Sequence, residues 1–164
     1  MYATRSAALL LSSTLVTAAI ASGAAAAPRA KRRGHVRRRG VQPTLTVHRT
    51  KYGPVIANGA GFTLYMFAKD KNGKSSCYGP CASVWPPLLK GKGRLILGKG
   101  VRRRLVGFTR RSNGTIQITY AHHPLYTYVP DAKPGEVHGE GILSFGARWY
   151  VISPSGRVIT PKGR

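Results

Sequence analysis

One short phrase occurs twice in this chain, and it constrains the fold more than any other feature. Leu64-Tyr65-Met66-Phe67-Ala68-Lys69-Asp70 and Leu125-Tyr126-Thr127-Tyr128-Val129-Pro130-Asp131 match at fixed spacing, 61 residues apart. Each copy follows a short apolar stretch, Val55-Ile56 or 116–120. Each precedes a polar, glycine-rich stretch and then a tryptophan, Trp85 or Trp149. A recurring pattern of this kind reads as two divergent copies of one hairpin-based unit.

The motif carries its own geometry. Successive side chains of a strand face opposite ways. Tyr65 and Phe67 therefore share one face, and Leu64 and Met66 the other. In the second copy Tyr126 and Tyr128 share a face, and Leu125 leads the opposite one. Such a strand is suited to being covered on both sides, by rings on one and aliphatic groups on the other. Asp70 and Asp131 fall just past the strand ends, where a carboxylate accepts backbone N–H bonds and closes a turn. Binding of a cation or sugar by these aspartates is the alternative.

Elsewhere the apolar residues come in short runs separated by Gly, Pro and Asn, which is strand-and-turn punctuation. Twenty glycines and eleven prolines would break most helices. Strands are predicted at 45–49, 54–57, 62–67, 95–97, 105–109, 115–120, 125–129, 149–153 and 157–159. Asn113-Gly114 and Ser155-Gly156 mark tight turns. A single helical turn fits at 81–84, stopped by Pro86-Pro87. The predicted fold is all-β, with antiparallel sheets built from two pseudo-repeats at about 47–89 and 105–152. Both lie in one domain over 45–164.

With these residues in view, the chain resembles a known family. Gly61-Phe62-Thr63-Leu64-Tyr65, Asp70, Cys77-x3-Cys81 and Trp85-Pro86-Pro87-Leu88 carry the likeness in the first half. Gln117-Ile118-Thr119-Tyr120, Pro124-Leu125-Tyr126-x-Tyr128 and Asp131 carry it in the second. The pattern is similar to the bacterial secreted repeat family with the Tyr-x4-Asp motif, also described as lipoproteins with a Yx(F/W/Y)xxD motif. The likeness spans about Val47 to Ile152. It implies an exported, β-rich protein without an assigned activity. The chain departs from many members in lacking a lipid-anchor cysteine and in being far more basic.

Cys77 and Cys81 are the only cysteines. A close pair in an exported chain is expected to form a disulfide. The alternative is an extracytoplasmic copper or redox site, in which Cys77, Cys81 and one of His122, His123 or His138 hold a soft metal ion. No nucleophile elbow, phosphate loop or zinc-protease helix motif is present, and the chain reads as non-enzymatic.

Twenty-seven Lys and Arg stand against four acids, a net charge of +23. A chain so charged seeks polyanions. Outside the cytoplasm these include anionic cell-wall polymers and lipid surfaces. No module for specific nucleic-acid recognition is visible. Two stretches concentrate the charge. Residues 28–40 hold seven Lys or Arg and one large apolar residue, and read as a disordered basic tail within a linker over 28–44. Residues 90–111 hold nine Lys or Arg. There the interleaved Leu95, Ile96, Leu97, Val101, Leu105 and Phe108 imply order, with either a plain solvated face or a polyanion-binding one.

Residues 1–27 resemble a Sec-type signal peptide: a single early positive charge, a leucine-centred apolar run and Ala24-Ala25-Ala26-Ala27. Cleavage between 23 and 28 would leave a secreted or envelope protein with no membrane span. The reading drawn from the sequence is an exported envelope or extracellular protein that binds anionic polymers through Lys and Arg.

Overall fold

The computed structural model describes residues 44–161. The export signal expected at 1–27, and the basic linker apart from residue 44, lie outside the described residues.

The described chain is nearly all β. Its strands are β1 (Leu45–Thr50), β2 (Gly53–Asn58), β3 (Tyr65–Phe67), β4 (Val106–Arg110), β5 (Ile116–Tyr120), β6 (His123–Pro124), β7 (Leu143–Ser144) and β8 (Ala147–Val151). Helix is confined to α1 (Pro80–Val84) and a 3-10 turn at Arg103–Leu105 among the described residues. The strands form three antiparallel sheets, ordered β1-β2, β3-β8-β7 and β4-β5-β6.

Local chemistry accounts for the hairpins. At the start of β2, Gly53 takes φ +92°. The Thr50 hydroxyl donates to the Gly53 carbonyl and accepts the Tyr52 N–H. Between β4 and β5, Gly114 takes φ +83°, and the Asn113 side chain accepts the Thr115 N–H. Both are positions where an L side chain is disfavoured.

The two faces of the motif feed two cores. Tyr65, Phe67 and Tyr126 are buried with Val55, Cys77, Trp85, Trp149 and Val151, and Tyr128 packs against them. Leu64, Met66 and Leu125 are buried with Leu45, Ile56, Ile118, Tyr120 and Ile152. The alternation read from the sequence is thus the division between an aromatic core and an aliphatic one.

The repeats are interleaved. β3 of the first copy pairs with β8, which belongs to the end of the second: Tyr65 opposite Val151, Phe67 opposite Trp149. The end of the first copy lies on the motif of the second: Pro87 bridges Tyr126, and Leu88 N–H donates to Leu125 O. Between the motifs, Tyr65 and Tyr126 exchange both backbone hydrogen bonds, at 2.8 and 3.0 Å. Neither copy could bury its motif without the other.

Three predicted strands differ. Residues 125–129 form no regular strand: Tyr126 makes isolated bridges and Val129 lies in a turn. Their partner contains Pro86-Pro87, which have no N–H to donate. Thr127 and Val129 instead each donate one bond, to Pro86 O and Val84 O. Residues 95–97 contribute one parallel bridge, Leu97 to Leu45, and 157–159 one bridge, Val158 to Ile152. Residues 90–105 form an irregular cover, with Leu95, Leu97, Val101 and Leu105 packed on the aliphatic core. Phe108, read as an ordering residue, is 51% exposed.

Candidate functional site

The motif aspartates are satisfied by the fold itself. Asp70 Oδ1 accepts the Ser76 N–H and hydroxyl, both at 2.7 Å, closing its own loop. Asp70 Oδ2 accepts the Tyr126 hydroxyl at 2.7 Å. Asp131 Oδ1 accepts the His138 N–H at 2.9 Å, and Asp131 Oδ2 accepts the Tyr65 hydroxyl at 2.6 Å. Each carboxylate therefore ties a turn with one oxygen and grips the other copy's tyrosine with the second. Hydrogen bonds to an ionised acceptor are among the stronger ones in proteins. Burial and the facing carboxylate push both phenols well above the ordinary tyrosine range. Both stay protonated, as donors must. Burial likewise raises Asp70 above the usual carboxylate range, opposed by its hydrogen bonds and the Arg111 charge.

The stacked rings alternate between the copies, whereas each motif tyrosine meets edge-on the tryptophan of its own copy. Phe67, Trp149, Trp85 and Tyr128 stack in one column, with centroid spacings of 4.1, 3.9 and 4.0 Å. Tyr65 meets Trp85 edge-on at 5.4 Å, and Tyr126 meets Trp149 edge-on at 5.1 Å. Both tryptophans are fully buried, so the column is core and offers no platform to a ligand.

Cys77 and Cys81 are joined in a disulfide that spans the start of α1. Both sulfurs are in this bond, so neither is a free thiolate. The histidines are also dispersed. His122 and His123 line a small pocket with Asp70, Asn72 and Gly73, where burial and neighbouring His122 lower the His123 pKa. His138 sits on another loop, its Nδ1 3.2 Å from Asp131 and 3.9 Å from Glu136. Asp131, Glu136 and His138 have ligand atoms within 4.8 Å of one another. Asp131, though, is already engaged by the Tyr65 hydroxyl and the His138 N–H.

Two functional side chains escaped the sequence reading. Arg111 closes the basic stretch 90–111, yet it is only 3% exposed. Its guanidinium donates to Ser75 Oγ, Gln117 Oε1 and the Cys77 carbonyl, each at 2.7 Å, and lies over the Tyr78 ring. It braces the disulfide loop and is not part of a cationic face. Glu140 accepts the Val151 N–H at 2.6 Å, and burial raises its pKa to about 7. Val151 stands opposite Tyr65 as Pro87 stands opposite Tyr126. The first copy meets this position with a residue that lacks an N–H, the second with a carboxylate. A Trp-x-Pro against Trp-x-Val comparison of the copies was the available signal.

The remaining cations face water. Every described Lys and Arg except Arg111 is exposed, and among the described residues none forms an ion pair with a carboxylate. No helix among the described residues is long and apolar enough to cross a membrane.

No curated protein and no solved structure matches the chain. A family model described as a secreted repeat of unknown function matches it twice, over residues 46–89 and 107–153. The two segments carry the interleaved motifs and tryptophans just described and together span more than half of the sequence, so the chain belongs to this secreted repeat family.

Proposed function

We propose that this is an exported, non-enzymatic protein of the cell envelope or extracellular space that binds anionic envelope polymers through its Lys and Arg side chains. The observation that carries this reading is a division of labour between charges. The four acids are engaged by the chain itself: Asp131, Asp70 and Glu140 by Tyr65, Tyr126 and the Val151 N–H, and Glu136, at the surface, by the Lys133 N–H. Among the described residues, every Lys and Arg but Arg111 is left exposed and without a carboxylate partner. Each cation near an anionic surface contributes about 1 kcal/mol, and many weak contacts add up along a polymer. No metal or cofactor enters this reading. The basic tail at 28–40 would supply a second, looser point of attachment.

Co-sedimentation of the exported protein with isolated cell wall tests the proposal. From about 0.01 M to about 1 M salt the screening length shrinks from about 30 Å to about 3 Å. Retention should fall steeply over that range, and more steeply with residues 28–40 present than without them. Retention that ignores salt, or no retention, overturns the proposal.

A further inference from the structure

The polymer-binding reading leaves the point of contact open, and one groove combines the required chemistries. It measures about 1090 Å³ and is lined by Lys51, Tyr52, Arg148, Tyr150, Arg157 and Ile159, among others, none of them acidic. Its geometry follows from the fold. Arg148 and Tyr150 alternate along β8 with Trp149 and Val151, which point into the aromatic core. Residues two apart on a strand share a face, so the guanidinium and the phenol emerge together on the other side. The β1–β2 turn brings Lys51 and Tyr52 to the groove, and residues 157–161 complete its lining.

The groove is partly pre-organised. Arg148 is held by a 2.7 Å bond from its Nη1 to the Gly141 carbonyl, and its other N–H donors have no partner among the described residues. Lys51 Nζ lies 5.2 Å from the Tyr52 ring centre. Tyr150 is half-buried against the aliphatic core. The contrast lies at 90–95, where a pocket of about 210 Å³ is lined by Lys90, Lys92 and Arg94 without an aromatic ring.

We infer that the groove binds the sugar residues of a carboxylated polysaccharide, a uronic-acid polymer, in preference to a ring-free polyanion such as polyphosphate. A tyrosine offers an apolar face and a polar tip, which suits the CH face of a pyranose and its hydroxyls. Arginine's planar fork matches a carboxylate. The volume exceeds the about 300–1,000 Å³ typical of pockets for single small ligands, and so leaves room for more than one sugar. This inference rests on the polyanion-binding reading above.

The test is calorimetric titration of the exported protein with hexagalacturonate and, separately, with polyphosphate. Tyr52→Ser should weaken hexagalacturonate about tenfold, close to 1.4 kcal/mol, and leave polyphosphate unchanged. Tyr52→Phe should keep most of the affinity. Arg157→Ser should cost hexagalacturonate more than Lys92→Ser and Arg94→Ser combined, although it removes less charge. Near-ultraviolet circular dichroism of the tryptophan column, unchanged in all variants, secures the fold. Equal losses for both polyanions, or none for Tyr52→Ser, overturn the groove. If hexagalacturonate does not bind while wall retention stays salt-sensitive, the groove inference falls and the polymer-binding reading stands. If wall retention is absent too, both fall.

Discussion

Tyr65 donates its hydroxyl to Asp131 in the interior of the fold, whereas Tyr126 donates to Asp70 at its margin. The bonds are alike in length, 2.6 and 2.7 Å, but their surroundings differ. The Asp131 side chain is 1% exposed. Its loop is pressed onto the first copy: Gly135 N–H donates to Gly61 O, Thr63 Oγ1 donates to Glu136 O, and Pro134 abuts Gly61, which at φ +88° has no side chain to collide with it. Around Asp70 the corresponding loop stands off. A pocket of about 320 Å³ remains, walled by Asn72, Gly73, His122, His123 and Pro124. The open half carries the disulfide and the buried Arg111, and the closed half carries neither. Tight packing fastens one crossed pair; a covalent bridge and a cation fasten the other.

The rings should resist disruption least. Truncating a buried tryptophan costs about 3–5 kcal/mol. Trp149 stacks on Phe67, which is 1% exposed, and Trp85 on the half-buried Tyr128. Trp149→Ala is therefore expected at the upper end of that range and Trp85→Ala lower in it, by guanidinium denaturation. Equal losses would show that the column acts as one unit, without a drier end.

Removing single hydroxyls separates the two pairs directly. Tyr65→Phe leaves a buried Asp131 oxygen without its donor, at a cost of about 2–3 kcal/mol, since orphaned charged acceptors are the expensive case. Tyr126→Phe should cost about 1 kcal/mol, because the Asp70 oxygen it leaves without a donor belongs to a residue that lines an open pocket, where water can replace the hydroxyl. The reverse order in urea denaturation would break the distinction between closed and open halves.

Much of this architecture was readable from local pattern. The alternation of Tyr65 and Phe67 with Leu64 and Met66 separated the two cores, because strand geometry ties neighbouring residues to opposite faces. Cys77 and Cys81 were readable as a pair through spacing and export. The crossed partners were not. Tyr65 and Asp131 are 66 residues apart, Tyr126 and Asp70 56, and a turn-closing aspartate looks the same whether or not its second oxygen is taken. Arg111 was hidden in a run of exposed cations, since burial by loops at 75–78 leaves no periodic trace. The irregularity of 125–129 depended on prolines some forty residues earlier. The groove was invisible for a related reason: Lys51, Arg148 and Arg157 meet only through the interleaving of the copies.

The disulfide should matter only to the half that has it. A loop this short stabilises by about 2 kcal/mol on the chain-entropy model. Cys77→Ser combined with Cys81→Ser should lower stability by that amount. Amide exchange should quicken over 71–84 and stay unchanged over 131–146. Faster exchange in both loops would mean that the closed half leans on the bridge as well.

The smallest effect falls on the position the copies solve differently. Pro87 presents no N–H to be satisfied, whereas the Val151 N–H depends on Glu140. Burial raises the Glu140 pKa from about 4.5 to about 7, so between those values the folded state holds a proton that the unfolded state has released. Its contribution is complete below about pH 4.5 and disappears as pH rises through about 7, opposite to an ion-paired carboxylate. Water reaches this half-buried group, which limits the swing to about 1 kcal/mol. Thermal melts of the wild type should lose stability across that window from this group. Glu140→Gln keeps an acceptor for Val151 without titrating, so its stability should lack that component of the pH dependence. An unchanged slope in the variant would place the titration on another group, with Asp70, also raised by burial, the first to test.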